Sequence, residues 1–273
     1  MKQMFALFLA VCLLLSVPAC AQEEEDTVLE FSAQEAGTQE TPWAYPIARE
    51  ILEDPDGVIL LVNKENLLDK TYPPEETLVD ISLRKTSSSN MQGRDIAVEA
   101  LGRLFEGAEA AGYTLYVDSA YRSYRTQEVM HYNRVESMGY DDGYVQSAGA
   151  SEHQTGMAFD VVNKEWADRK LNSEFANTQE AQWMAANCAQ YGFIIRYPAD
   201  KEEITGIAYE PWHLRYVGEE VAGYIMENSL TLEEFTEEYL RAIDMYEAGQ
   251  VWGEPIELPQ IETYEEETDS FVF

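Results

Sequence analysis

Apolar residues recur at every third or fourth position in several segments of the chain, which is the periodicity of an amphipathic helix. One such segment covers residues 95–111 and is followed by Gly112, a residue type that commonly ends helices. Another begins at Thr231, where Glu234 completes the sequence pattern of a capping box. We also predict a helix over about residues 124–137 with Ser123 as its cap, and a helix that ends at Gly192 with Asn177 and Glu180 as its capping pair.

Shorter apolar segments bounded by glycine, proline and other turn residues predict β-strands. The predicted strands cover residues 58–62, 78–81, 113–120, 158–162, 193–197 and 207–217. Strands and helices are mixed along the chain but do not alternate strictly. This order favours an α+β fold with an antiparallel sheet over a doubly wound parallel sheet.

The N-terminal residues differ from this globular pattern and predict a secretory signal over residues 1–21. Lys2 precedes an apolar run from residue 5 to residue 17, which is too short for a permanent membrane span. Residues 17–20 (Val-Pro-Ala-Cys) resemble a bacterial lipobox, in which Cys20 would be lipidated, although an ordinary signal peptidase would also accept Ala19-Cys20-Ala21. We favour the lipoprotein, because a lone cysteine at the end of an apolar signal otherwise has no evident purpose.

Acidic residues dominate the composition, with 51 Asp and Glu against 18 Lys and Arg and a formal net charge of −33. Many of them lie in an acidic linker, residues 22–42, and in an acidic tail, residues 250–273, which leaves residues 43–249 as the predicted domain. This charge excludes nucleic acid and electrostatic attraction to anionic lipid as partners. Taken with the signal over residues 1–21, it leads us to expect an extracytoplasmic protein that contacts the membrane only through a lipid anchor at Cys20. We also expect a monomer.

Cysteine usage gives no disulfide framework. Cys12 lies in the predicted signal and Cys20 is lipidated or removed with it, so that Cys188 has no partner within the mature chain. Cys188 follows the apolar pattern of its predicted helix, and we interpret it as a small buried hydrophobic residue.

Candidate chemistry is concentrated in residues 151–160 and residues 210–213. These segments contain two of the three histidines of the chain, His153 and His213, together with Asp160 and Glu210. Two imidazoles and one carboxylate form the open three-ligand set of a catalytic zinc ion, and a further carboxylate nearby can accept a proton from water. The combination indicates a hydrolase.

The spacing of these residues requires specific backbone shapes. His153 and Asp160 are seven positions apart and would lie on opposite faces of one regular strand, so a bend must intervene, and Gly156 supplies it. Pro211 excludes a regular helix between Glu210 and His213. The motif therefore differs from the helical zinc-protease motif, in which two histidines are four residues apart.

These two segments, with Ser119-Ala120-Tyr121-Arg122-Ser123 and Gln127 before them, resemble the zinc D-alanyl-D-alanine carboxypeptidase family. That family includes the vancomycin-resistance carboxypeptidases and the related L,D-carboxypeptidases, and the resemblance covers about residues 60–217. It implies a small antiparallel sheet flanked by helices, and peptidoglycan stem peptides as substrates.

The resemblance also implies a role for each matching position. His153, Asp160 and His213 would bind Zn²⁺, and Glu210 would be the general base. Arg122 would face the scissile carbonyl or the terminal carboxylate of the substrate. The pocket for the terminal D-alanine would be lined by Gln127 and Ser151. Independently of the resemblance, we predict that Trp212, next to His213, forms a wall of the pocket and not simply part of the core.

Three alternatives stay open on the sequence alone. They are an L,D-carboxypeptidase or endopeptidase with the same fold, a module that binds cell-wall peptide without cutting it, and a lipoprotein that delivers zinc. His131, in the middle of a predicted helix, has no carboxylate at ligand spacing, and we do not expect it to bind metal. Glu152 and Asp118 either orient an imidazole or are simply solvated.

Overall fold

The computed structural model describes residues 41–254. The predicted signal with Cys20, nearly all of the predicted linker, and the tail from residue 255 lie outside the described residues. Within residues 41–254, no helix combines the length and the apolar character needed to cross a membrane.

Seven α-helices and six strands are found in the described part of the chain. The helices are α1 (Arg49–Leu52), α2 (Asp95–Ala110), α3 (Tyr124–Met138), α4 (Gln179–Asn187), α5 (Glu202–Thr205), α6 (Glu219–Glu227) and α7 (Leu232–Glu247). The strands are β1 (Leu78–Asp80), β2 (Gln92–Arg94), β3 (Tyr116–Ser119), β4 (Ala158–Val162), β5 (Phe193–Ile195) and β6 (His213–Tyr216).

Four of the strands form an antiparallel sheet in the order β3-β4-β6-β5, and β1 pairs with β2 in a separate hairpin. In the larger sheet Asp160 lies directly opposite His213 on one side and Ser119 on the other. Side chains that lie opposite each other in an antiparallel pair point to the same face. The register therefore brings two of the candidate metal ligands together.

The two faces of this sheet have different environments. Phe159 and Val161 of β4 and Leu214 of β6 belong to a buried cluster that also contains the apolar side of α2. Strand side chains alternate between faces, so Asp160 and His213 point to the opposite face. One face thus packs against the hydrophobic core, and the other is available for polar chemistry.

The capping and helix predictions are largely confirmed. Ser123 accepts a hydrogen bond from the backbone N–H of Thr126, and Thr231 with Glu234 forms the complete capping box of α7. The predicted cap of α4 is wrong: Thr178, and not Asn177, accepts the hydrogen bond from its first turn. Glu180 instead accepts a bond from Asn163 Nδ2 at 2.9 Å. The sequence pattern also missed the helices α1, α5 and α6 and the short strand β2.

The predicted strand over residues 58–62 is wrong, because side chains take the hydrogen bonds that a neighbouring strand would have made. The Asp54 carboxylate accepts bonds from the backbone N–H groups of Val58 and Ile59, at 2.5 and 3.0 Å. The Arg215 guanidinium donates to the carbonyl oxygens of Val58 and Leu60, at 3.0 and 2.8 Å. The segment is apolar and partly buried, but its polar backbone is paired with side chains.

The predicted strand over residues 207–217 is shorter than expected and covers only His213–Tyr216. Before it, the backbone N–H of His213 donates to the carbonyl oxygen of Glu210 at 3.1 Å, which closes a turn around Pro211. The predicted strands at 113–120 and 193–197 are likewise reduced to Tyr116–Ser119 and Phe193–Ile195.

Cys188 is fully buried, as predicted, and burial raises the pKa of its thiol to about 12. The thiolate is the reactive form, so we expect iodoacetamide to leave Cys188 unmodified in the folded protein at mildly alkaline pH. Mass spectrometry of the peptide that contains residue 188 measures the modification, with the chain denatured in guanidinium as the control. Equal rates of labelling in the folded and denatured chains would contradict the buried position.

Candidate metal centre and active site

Three separate backbone elements supply the candidate metal ligands. Asp160 comes from β4 and His213 from β6, and His153 lies in a single 3₁₀ turn, Glu152–Thr155, that precedes β4. Gly156 ends this turn in a left-handed conformation with φ of 72°. A Cβ atom at this position would lie 3.0 Å from Leu78 Cδ2 and 3.1 Å from the backbone N of Arg94, so both the conformation and the packing favour glycine. The predicted bend at Gly156 is confirmed.

The side chains of His153, Asp160 and His213 converge in one buried cluster. Each offers one ligand atom, and these atoms all lie within 4.8 Å of one another. His153 Nε2 is 3.4 Å from Asp160 Oδ2, and His213 Nδ1 is 3.2 Å from Asp160 Oδ1. The two imidazole rings are nearly perpendicular, with centroids 5.0 Å apart.

The orientation of His153 fits a divalent cation in this cluster. Its Nδ1 atom is 2.8 Å from the carbonyl oxygen of Ala120, to which it donates a hydrogen bond. This bond leaves the lone pair of Nε2 directed at Asp160, which is the arrangement that metal-binding histidines use. Burial also lowers the pKa of His153 and favours the neutral imidazole that binds metal.

The electrostatics of Asp160 agree with a cation site. Burial alone would raise the pKa of its carboxyl, but the nearby His153 and His213 outweigh burial and hold the pKa well below the usual range. Asp160 is therefore an ionised carboxylate in a buried position between two imidazoles. A cation at this point would balance its charge.

Glu210 lies beside the cluster at the turn that precedes β6. Its Oε2 atom is 3.7 Å from His213 Nδ1, and its side chain keeps 29% of its accessible surface. Burial raises the pKa of Glu210 to about 7. A carboxylate with a pKa near neutrality is suited to accept and return a proton at physiological pH.

Arg122 reaches the same site from the segment between β3 and α3. Its backbone N–H donates to the carbonyl oxygen of His153 at 3.1 Å, which ties the arginine to the 3₁₀ turn. Its Nη1 donates to Gln127 Oε1 at 2.9 Å, and Gln127 Nε2 donates to the carbonyl oxygen of Gln146 at 2.5 Å. Gln127, 1% exposed, thus fixes the arginine against the 139–150 connection.

All of the predicted site residues line one cavity of about 220 Å³. Ser151, 7% exposed, and Trp212, 8% exposed, form part of its wall, and Trp212 also packs into the hydrophobic core. Tyr197 lines the cavity as well, with its ring centroid 4.9 Å from that of His213. The sequence pattern did not identify Tyr197, because it stands at the end of the apolar segment 193–197 and belongs to no motif.

The remaining acids and the third histidine lie outside the ligand cluster. His131 is on α3, with Nε2 3.1 Å from Asp141 Oδ2. Asp118 accepts a hydrogen bond from Thr86 Oγ1 at 2.8 Å. Glu152 is fully buried and contacts Arg196 and Arg215, so it is not a solvated acid.

The site combines a buried set of two imidazoles and one carboxylate with a cavity that contains a further carboxylate and an arginine. This is the arrangement of a metallopeptidase. The model of the VanY D-alanyl-D-alanine carboxypeptidase family matches residues 90–219. The D-alanyl-D-alanine carboxypeptidase of Enterococcus faecalis is 34% identical in an alignment of 200 residues, which covers 69% of this chain and 69% of that protein.

Solved structures give the same assignment. The LdcB LD-carboxypeptidase is 42% identical with a TM-score of 0.62, over 66% of this chain and 86% of the other. The vancomycin-resistance D,D-pentapeptidase VanY in complex with Zn(II) is 32% identical with a TM-score of 0.51, over 67% of this chain and 98% of the other.

This chain belongs to the VanY family of D-alanyl-D-alanine carboxypeptidases, and it is a zinc metallopeptidase. The α+β fold expected from the sequence is confirmed, and so is zinc as the cofactor.

Proposed function

We propose that this protein removes the C-terminal D-alanine from peptidoglycan stem peptides that end in D-Ala-D-Ala. One observation carries the proposal: the cluster of His153, Asp160 and His213 opens into the cavity that also contains Glu210 and Arg122. The relatives named D-alanyl-D-alanine carboxypeptidase support the choice of substrate. So does the solved VanYB structure in complex with D-Ala-D-Ala, which is 32% identical to this chain.

His153, Asp160 and His213 are the zinc ligands in this proposal. The zinc ion supplies a Lewis acid that polarises the scissile carbonyl and acidifies water. Glu210 is close enough to the cluster to take a proton from the attacking water and to pass it to the leaving amine. The cavity wall formed by Ser151, Gln127 and Trp212 bounds the space for the terminal D-alanine.

Arg122 binds the free carboxylate at the end of the substrate in this proposal. Its guanidinium lines the cavity, and a planar guanidinium matches a carboxylate through two parallel hydrogen bonds. Lysine keeps the charge but loses this forked geometry. A charged hydrogen bond is worth about 1.5–3 kcal/mol, so Arg122→Lys is expected to lower kcat/KM by about 10- to 100-fold.

The Arg122 variant is measured on paired peptides that end in a free carboxylate or in an amide. The wild-type enzyme should strongly prefer the free carboxylate, and the Arg122→Lys enzyme should lose much of this preference. A variant that keeps both the rate and the preference would show that Arg122 does not bind the carboxylate.

The substrate test is the release of D-alanine from a peptide that ends in D-Ala-D-Ala, with and without a chelator. The zinc-loaded enzyme should release one D-alanine from each peptide, and the chelated enzyme should release none until zinc is restored. Release that continues unchanged in the chelator would overturn the proposal.

One observation favours a second candidate activity, that of an L,D-carboxypeptidase on tetrapeptide stems. The LdcB LD-carboxypeptidase is 42% identical to this chain with a TM-score of 0.62, whereas VanY is 32% identical with a TM-score of 0.51. A pentapeptide stem and a tetrapeptide stem, offered separately and followed by mass spectrometry, distinguish the two. Turnover of the pentapeptide alone supports the D,D activity, and turnover of the tetrapeptide alone supports the L,D activity.

We further propose that the enzyme works outside the cytoplasm, anchored by a lipid on Cys20, and that it is a monomer. The apolar signal pattern of residues 1–21 and its terminal cysteine support the anchor. A bacterial host fed labelled palmitate should incorporate label into the wild-type chain but not into Cys20→Ser. The monomer has a separate test: the wild-type domain, released from the membrane, should elute from a size-exclusion column at the mass of one chain. Equal label in both chains would contradict the lipoprotein.

A further inference from the structure

A buried network of charged side chains lies behind the candidate metal centre. Its central residue is Glu152, which immediately precedes His153 and has no exposed side-chain surface. Glu152 Oε1 accepts hydrogen bonds from Arg196 Nε and from Arg215 Nη1, both at 2.7 Å. Arg196 and Arg215 are also without exposed side-chain surface. Buried charges of this kind are normally retained only when they are fully paired.

Both arginines are also held by groups other than Glu152. Arg196 makes a two-pronged contact with Glu233 of α7, through Nη1 at 2.8 Å and Nη2 at 2.6 Å. Arg215 donates from Nη2 to the carbonyl oxygens of Val58 and Leu60, and from Nε to that of Tyr216 at 3.1 Å. The arginines therefore have fixed positions, and Glu152 is fixed by them through a single oxygen.

The second oxygen of Glu152 points towards the metal centre. Oε2 lies 3.5 Å from His213 Nε2. Both atoms are buried, and neither has a hydrogen-bond partner at normal distance. Two unpartnered buried polar atoms that face each other are complementary only if the imidazole carries its proton on Nε2, because an ionised carboxylate has no proton to give.

We propose that Glu152 is a positioning residue that accepts the Nε2–H of His213 and thereby directs the Nδ1 lone pair of His213 into the metal site. This inference rests on the proposed ligand set of His153, Asp160 and His213. In the structure, His213 Nδ1 faces Asp160 Oδ1 at 3.2 Å and Glu210 Oε2 at 3.7 Å. The two histidines then present different nitrogens: Nε2 from His153, whose Nδ1 is paired with Ala120, and Nδ1 from His213.

The variant Glu152→Gln tests the proposal, because its amide has nearly the same size and still offers one oxygen to Arg196 and Arg215. Its NH₂ group then faces His213 Nε2 and favours the opposite tautomer, with the proton on Nδ1. Mutation of a residue that hydrogen-bonds to a metal-bound histidine typically lowers metal affinity by about 10- to 100-fold. We expect a loss of zinc affinity in this range, measured by competition with a chelating dye.

Glu233→Gln is the matched control. It removes the negative charge of the Glu233 carboxylate, which is paired with the Arg196 guanidinium that Glu152 also contacts. Within the described residues, Glu233 makes no contact with His213. Both variants should lower the thermal stability of the metal-free protein, and only Glu152→Gln should weaken zinc binding. Equal zinc affinities in the two variants would reduce Glu152 to a counterion of the arginines and overturn the proposal.

A measurement on the wild-type chain keeps the proposal testable even if Glu152→Gln does not fold. The chain has only three histidines, so ¹⁵N-histidine labelling gives three resolvable rings. In the zinc-loaded protein, His213 should show a protonated, slowly exchanging Nε2 and a metal-bound Nδ1, and His153 the reverse assignment. A metal-bound Nε2 in His213 would contradict the proposal.

The same spectra separate this inference from the proposed ligand set. If zinc shifts the ring nitrogens of both His153 and His213 and the tautomer of His213 is wrong, only the role of Glu152 fails. If zinc leaves the ring of His213 unchanged, the ligand set itself fails, and the positioning role fails with it.

Discussion

Glu210→Gln is expected to lower kcat by about 10²- to 10⁴-fold, the usual contribution of a general acid–base residue, while the enzyme keeps its zinc. The amide has the shape of the carboxylate but cannot accept a proton. Glu210 is 3.7 Å from His213 Nδ1 and stands outside the cluster formed by His153, Asp160 and His213. The measurement is kcat on a D-Ala-D-Ala peptide, together with the zinc content of the purified variant.

Glu203→Gln on α5 is the control, since Glu203 is exposed and does not line the cavity. It should match the wild type in both rate and zinc content. If Glu210→Gln retained wild-type turnover, Glu210 would not be the base. If it lost its zinc, Glu210 would be a ligand, and the proposed three-residue set would be incomplete.

Asp160→Asn should have the second large effect, on metal affinity. Apparent zinc affinities of structural four-ligand sites in peptides amount to about 10–16 kcal/mol, so one ligand is worth roughly 3 kcal/mol, or about 100-fold in the dissociation constant. Asparagine preserves the size of the side chain but removes the charge that lies between His153 and His213. Competition with a chelating dye measures the loss.

Asp118→Asn on the neighbouring strand β3 is the matched control for this variant. Asp118 is an aspartate of the same sheet and is partly buried, but it accepts a hydrogen bond from Thr86 and is not in the ligand cluster. Zinc affinity should fall sharply in Asp160→Asn and remain close to wild type in Asp118→Asn. The reverse order would mean that the cation is bound elsewhere on the sheet.

The residues that the structure brings together in one cavity could be singled out from the sequence because their chemistry is local and unusual. Two of three histidines stand near carboxylates, and a left-handed glycine is the simplest means of bending the chain between His153 and Asp160. The capping box at Thr231 was predictable for the same reason, since all of its groups lie within one helical turn.

The features that the sequence did not reveal depend on contacts between distant positions. Residues 58–62 have the composition of a buried strand, but Arg215, more than 150 positions later, donates hydrogen bonds to the carbonyl oxygens of Val58 and Leu60. The burial of Glu152 depends on the same arginine and on Arg196. No short-range pattern encodes these pairings, because each joins residues that are more than 40 positions apart in the sequence.

Anomalous diffraction from crystals of the zinc-loaded enzyme shows directly whether His153, Asp160 and His213 bind the zinc ion. We expect one zinc peak, at about 2.0–2.2 Å from the nearest side-chain nitrogens of His153 and His213 and from a carboxylate oxygen of Asp160, with Glu210 beside it. A zinc peak bound by other side chains, or no peak within this cluster, would contradict this expectation.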